Sequence, residues 1–238
     1  MTAELHRRGY HVNHKRIQRL MADMGIKALY PKKRTSIINS AHKKLKDMEI
    51  DRPNHVWLTD ITYIRYGSGF IYLVALIDVF SRYILSWQLS NTMDVQFCMD
   101  MLEAALEKHG TPEIINTDHG SQFTCPTWVD RVEESGAKVS MDGKGRLPDN
   151  IYIERFWRTI KHEHIAYQVF DNVRHVRESI GDIIHVYNTK RLHQSLGYQT
   201  PNEVYHQDIK DYHLKLVYGN VENTSYLHTV PQTQQQII

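Results

Sequence analysis

The chain has 238 residues, 41% hydrophobic and 24% charged, with two cysteines, Cys98 and Cys125. No apolar run approaches the ~20 residues of a membrane span, the N-terminal MTAELHRRGY lacks a signal-peptide core, and two cysteines exclude a disulfide framework or a cysteine-rich zinc module. The net charge of +2 is unevenly spread: residues 1–50 hold 12 Lys or Arg against 4 acids, or +8, and the remainder carries −6. A basic arm on a mildly acidic body predicts a polyanion partner, a separate working part and a place inside the cell, with no membrane contact.

Taken in order, the apolar spacing of Leu5, Ile17, Leu20, Met21 and Met24 predicts two short helices, Thr2 to Arg8 and His14 to Met24. Asn13 caps the second and Gly25 stops it. The pair is helix-turn-helix-like and offers Lys15, Arg16 and Arg19 to phosphates. A basic linker, 27–55, follows. The runs Val56 to Tyr66 and Phe70 to Phe80 are β-branched and aromatic, with Gly67-Ser68-Gly69 as a hairpin turn between them, and Tyr83 to Leu89 reads as a third strand.

Met93 to Lys108 is amphipathic with Gly110 beyond it, and Glu113 to Thr117 is a short strand ending at Asp118. Pro126 opens a helix to about Ser135. Lys138 to Met141 is a fifth strand, and a glycine-containing loop, Asp142 to Pro148, leads to a helix capped by Asp149 or Asn150 and running to Ile165. Asn172 to Lys190 is a further helix. Thr200 to Glu203 combines a capping box with proline in the first helical turn, and residues 211–238 form a polar tail. Three hairpin-linked strands followed by helix-linked ones predict an α/β fold: a mixed five-stranded sheet flanked by helices. The expected divisions are 1–26, 27–55, a core at 56–168, a helical extension at 169–210, and 211–238.

Three carboxylates carry the chemistry. Asp60 sits mid-strand among apolar neighbours, Asp118 lies just past a strand end where a switch-point crevice would expose it, and Glu154 lies on the late helix. Helical steps from Glu154 reach Trp157, Arg158 and Lys161, placing an acid, an aromatic and two cations near one face, a mixture suited to a metal and a phosphate. Carboxylates are hard oxygen ligands of the type Mg²⁺ and Mn²⁺ prefer, and two such ions can serve the attacking and leaving oxygens of a phosphoryl displacement. The four tryptophans, Trp57, Trp87, Trp128 and Trp157, read as core, with a role for Trp157 at the site left open.

Between Asp118 and Glu154 lie 35 residues. That spacing, with the words WLTDITYI, NTDHGSQF, SMDGKGRLPDNIYIERFWRTIKHE and YNTKRLHQSLGYQTPNEVY, resembles the DDE transposases and retroviral integrases, and most closely the second-frame products of bacterial insertion sequences. The resemblance runs from about Thr2 to Tyr205. It implies a ribonuclease H-like integrase core with Asp60, Asp118 and Glu154 as catalytic ligands of two Mg²⁺ ions, for which Mn²⁺ would substitute. It implies cleavage at terminal inverted repeats and joining of a 3′-OH to target DNA, without a covalent protein intermediate or a nucleotide cofactor. Lys161 would contact a phosphate near the cleavage point, with Asn150 and Arg158 supporting the site. Arg191 and His193 could bind phosphate or equally fasten their loop to the domain.

Two departures accompany the resemblance. His6, His11 and His14 have no CxxC partner, so the zinc module of retroviral integrases is not expected. The bacterial elements commonly carry a DNA-binding domain in an upstream frame, so an upstream-frame helix-turn-helix protein or domain is an expected partner, alongside inverted-repeat and target DNA, self-association on DNA, and the nucleoid of a bacterial cytoplasm. Two other readings remain: a ribonuclease H-like nuclease that cuts without joining, and a non-catalytic DNA-binding derivative of a transposase. Three clustered carboxylates without metals would repel one another, which weighs against the last.

Overall fold

The structure, a computed structural model, describes residues 1–27, 48–67, 69–141 and 150–207. The expected loop 142–148, the cap Asp149, the turn residue Ser68, most of the basic linker and the polar tail lie outside these residues. Among the described residues no helix is long and apolar enough to cross a membrane.

Two helices, α1 (Thr2–Arg7) and α2 (His14–Asp23), precede three strands, β1 (Val56–Tyr66), β2 (Gly69–Asp78) and β3 (Ile84–Ser90). Then come α3 (Gln96–His109), β4 (Ile114–Thr117), a single-turn α4 (Ser121–Thr124), α5 (Pro126–Glu134), β5 (Lys138–Met141), α6 (Ile151–Glu163), α7 (Val173–Thr189) and α8 (Pro201–His206). The sheet order is β3-β2-β1-β4-β5. The first three strands are antiparallel, and β4 and β5 join parallel to β1 and to each other. All five expected strands are present, most with ends one or two residues from expectation. Helix α4 was not expected; SQFT is too short to show a period.

Period-two alternation along β1 divides the core. Val56, Leu58 and Ile64 face a cluster completed by Ile153, Phe156, Ile160, Ile180 and Tyr187 of α6 and α7. Trp57 faces the other cluster, with Met101, Leu102, Trp128 and Val132 of α3 and α5. Helices therefore cover both sides of the sheet, as the apolar β2 requires: Leu73 to Ile77 are wholly buried.

Helix α1 meets α8. The Arg7 guanidinium on α1 pairs through both nitrogens with the Glu203 carboxylate of α8 and donates to the Tyr198 carbonyl. Glu203 simultaneously closes the expected capping box with Thr200. Its carboxyl is held down at about 2, chiefly by the Arg7 hydrogen bond and against the opposing effect of burial.

Candidate active site

The sheet brings the first two carboxylates level. Parallel pairing aligns Val56 with Ile114 and Leu58 with Asn116, and it stops there. Continuing that register by two residues sets Asp60 beside Asp118, where adjacent strands are ~4.8 Å apart before they diverge. The pleat turns Asp60 toward α6, on the same side as Leu58. The aligned pair thus falls where β4 leaves the sheet: Asp118 lies just beyond the carboxyl end of β4, beside the middle of β1.

Both Asp60 oxygens are held. Trp157 Nε1 of α6 donates to Oδ2 at 2.8 Å, and the Ile61 N–H donates to Oδ1 at 2.8 Å. Burial nevertheless pushes this carboxyl up to about 6; the charges of Asp118 and Glu154 push the same way, and the two N–H donors pull against them. Three carboxylates from β1, the end of β4 and α6 therefore share one electrostatic environment. Trp157 is a buried orienting donor to Asp60, which answers the question its sequence position left open.

Asp118 is shaped by the turn after it. Gly120 N–H donates to Asp118 Oδ1 at 2.9 Å. A Cβ at Gly120 would stand 2.9 Å from that same oxygen, which explains a glycine in NTDHGSQF at a backbone angle any residue could adopt.

Glu154 stands exposed in the first turn of α6, whose start is fixed by an unexpected bond. Asn150 occupies the cap position, but its side chain makes no cap hydrogen bond. Its Oδ1 instead accepts from Asn116 Nδ2 of β4 at 3.2 Å, and its carbonyl accepts the Glu154 N–H. The cap expectation is corrected in its chemistry: Asn150 ties helix to sheet. Sequence reasoning missed Asn116, although a buried amide in the short strand IINT was a visible signal.

Lys161 lies about two turns further along α6 than Glu154, half-buried, with its Nζ 4.6 Å from the centre of the Tyr63 ring. Burial lowers its pKa and the charge of Asp60 opposes that. Arg158 is exposed on the same helix. Arg191 pairs bidentately with Glu163 at the end of α6, and the His193 ring packs edge-on against Tyr187. Burial, assisted by the nearby charges of Arg191 and Arg82, holds His193 down at about 4, so this histidine is neutral near pH 7. Lys15, Arg16 and Arg19 are exposed on α2, away from the carboxylates in sequence and on a separate helix.

Among the described residues no three His, Cys, Asp or Glu side chains stand close enough to form a ready metal cage. The donor set nevertheless suits a hard divalent cation. It is all carboxylate oxygen, its members raise one another's energy when ionised, and each oxygen that accepts an N–H keeps a further lone pair.

Comparison with known proteins places these elements. A family model for the integrase core domain matches residues 50–146, a second integrase core model matches 135–201, and an HTH-like domain model matches 1–34. The transposase for insertion sequence element IS904 of Lactococcus lactis is 36% identical over 219 residues, covering 85% of this chain and 84% of that one. The putative transposase InsK for IS150 of Escherichia coli is 31% identical, covering 87% and 76%. Among solved structures, the HTLV-2 integrase catalytic core domain in complex with magnesium superposes with a TM-score of 0.53 at 20% identity, covering 65% of this chain and 98% of that one. The BIV integrase catalytic core gives 0.53 at 18%, covering 68% and 99%. The fold is thus that of the ribonuclease H-like integrase cores.

Proposed function

We propose, for a chain that belongs to the insertion-sequence transposases with an integrase core, that Asp60, Asp118 and Glu154 form its single catalytic centre. Membership of that family makes the protein a transposase, an enzyme of DNA cleavage and strand transfer that uses divalent metal and binds DNA. The residue assignment is our own. It is supported above all by the strand register that brings Asp60 of β1 level with Asp118 at the end of β4, together with the charges of Asp118 and of Glu154 on α6 acting on the ionisation of Asp60.

In this reading the three carboxylates hold two Mg²⁺ ions, with Mn²⁺ as a substitute, and Trp157 and Gly120 aim Asp60 and Asp118. Cations held by these carboxylates would supply activation of the attacking oxygen and stabilisation of the leaving oxygen in an in-line displacement at phosphorus. The Asn116–Asn150 bond sets the start of α6 and with it the height of Glu154. Lys161 meets a phosphate next to the reacting one, and Arg158 meets one farther along the helix. Lys15, Arg16 and Arg19 contact DNA outside the core. Arg191 fastens its loop to α6 through Glu163, while His193 packs inside that loop. Self-association on paired inverted-repeat ends, and an upstream-frame DNA-binding partner, complete the assembly.

A joining assay tests this. Purified protein is incubated with a labelled, pre-cut inverted-repeat end and a plasmid target in Mg²⁺, Mn²⁺ or EDTA. Metal-dependent joined product that disappears in Asp118→Asn is expected. Joining that survives in Asp118→Asn would overturn the assignment, and cutting without joining would favour the nuclease reading.

A further inference from the structure

Beside Lys161 lies a pair of aromatic rings that the chemistry above does not use. Tyr63 and Phe70 project from the β1–β2 hairpin, 58% and 54% exposed, far more open than the core of the same strands. Their centroids are 5.2 Å apart with the planes at 77°. The strand register puts Arg65 directly across from Phe70, so an exposed guanidinium borders the same patch. Lys161 reaches it from α6, with its ammonium 4.6 Å from the Tyr63 ring centre.

The two rings cover part of each other edge to face, yet more than half of each residue stays open to water, and a threonine would serve the strand at either position. What they offer is an open aromatic corner flanked by cations and complementary to a nucleotide: with the planes at 77°, a planar base stacks on one ring with its edge against the other, and its phosphate turns toward the ammonium. Position narrows the occupant. By the strand pleat Tyr63 points to the face opposite Asp60, and Lys161 makes the link: it stands seven residues beyond Glu154 on α6, about 10 Å by helix rise, with its ammonium 4.6 Å from the Tyr63 ring centre. That is about three base steps of stacked DNA at 3.4 Å per step along a strand. DNA whose scissile phosphate lies at the carboxylates therefore brings a base within a few steps of its end to this hairpin.

We propose that Tyr63 and Phe70 form a stacking platform for a nucleobase near the reacting DNA end, with Lys161 and Arg65 receiving its phosphate. The inference rests on the catalytic assignment of Asp60 made above. A strained or frayed terminal base costs least to unstack, so the platform holds the end open and aligned while the carboxylates act on the neighbouring phosphate.

The test uses duplexes of the element's terminal inverted repeat carrying 2-aminopurine at one of the last few positions, bound in EDTA so that no chemistry occurs. Wild-type protein is expected to change the emission at one such position. The Tyr63→Ala/Phe70→Ala variant should lose that change and bind the end about tenfold more weakly, and Tyr63→Phe should retain both. A Tyr63→Thr/Phe70→Thr pair, which keeps strand-forming residues, guards against a folding defect. A position-specific signal that persists in both double variants would overturn the platform, as would weaker binding with the signal intact, which would reduce Tyr63 to a prop for Lys161. Asp60→Asn separates the two claims. It should keep the emission change and lose joining; if it joins DNA normally, the catalytic assignment falls, while the platform is still judged by emission alone.

Discussion

Trp157 Nε1 donates to Asp60 Oδ2 at 2.8 Å, so the helix that carries Glu154 also aims the carboxylate on the central strand. A hydrogen bond to a charged group contributes about 1.5–3 kcal/mol. Trp157→Phe should therefore lower the joining rate at least about tenfold, in line with that figure. It should also move the acid limb of the pH–rate profile upward, because the lost N–H had been lowering a carboxyl that must be ionised to hold metal. Joining rates measured across pH check this; an unmoved acid limb would separate Trp157 from Asp60.

The raised pKa of Asp60 has a cost in stability. Its folded value of about 6 lies above the ordinary 3.8, so the folded state holds the proton more tightly. Metal-free wild-type protein should then lose stability as pH rises from about 4 to about 6, and stay at the lower level above that. Asp60→Asn removes the buried charge at the expense of one N–H acceptor. It should gain about 1–2 kcal/mol at pH 7 and nothing below pH 4. Thermal melts in EDTA at both pH values measure it, and equal Tm values at pH 7 would contradict it.

Gly120→Ala should act on Asp118 alone. The added Cβ would stand 2.9 Å from Asp118 Oδ1 and displace it, with no positive backbone angle to add strain. Joining should fall by about tenfold or more, roughly 1.4 kcal/mol in the barrier, with Tm almost unchanged. An alanine variant with wild-type kinetics would show that the turn tolerates the methyl.

Much of this architecture was legible in the residues. The β-branched runs of β1 and β2, the helical period of α3 and the Thr200 to Glu203 capping box are strong local signals, and the structure contains each. Asp60 stood out as an acid in an apolar strand, and Asp118 and Glu154 joined it through the 35-residue spacing and the sequence words that carry the family resemblance. What could not be read was cross-chain geometry. Trp157 and Asp60 are 97 residues apart, and Asn116 and Asn150 are 34 apart. A tryptophan at helical spacing reads as core, and it is core as well as donor. The cap position of Asn150 was legible but its bonding was not, for a related reason: local chemistry predicts where a helix starts, but a buried amide on β4 took the side chain that would have capped it.

The Arg191 fastening is separable from phosphate binding. Arg191→Met should cost about 1 kcal/mol or less, as a partly exposed pair with Glu163 implies, and leave affinity for the inverted-repeat end unchanged. Glu163→Gln should have a similar effect, and the double variant should cost less than the sum. A Met variant with intact stability and a shallower salt dependence of DNA binding would instead make Arg191 a phosphate ligand.

The central claim is that Asp60, Asp118 and Glu154 hold divalent metal as one unit, and Mn²⁺ titration followed by electron paramagnetic resonance tests it most directly. Wild-type protein should bind Mn²⁺. Asp60→Asn, Asp118→Asn and Glu154→Gln should each weaken that binding by about tenfold or more, roughly 1.4 kcal/mol, while retaining wild-type circular dichroism. Wild-type Mn²⁺ affinity in any one of the three folded variants would contradict the claim and remove that carboxylate from the site.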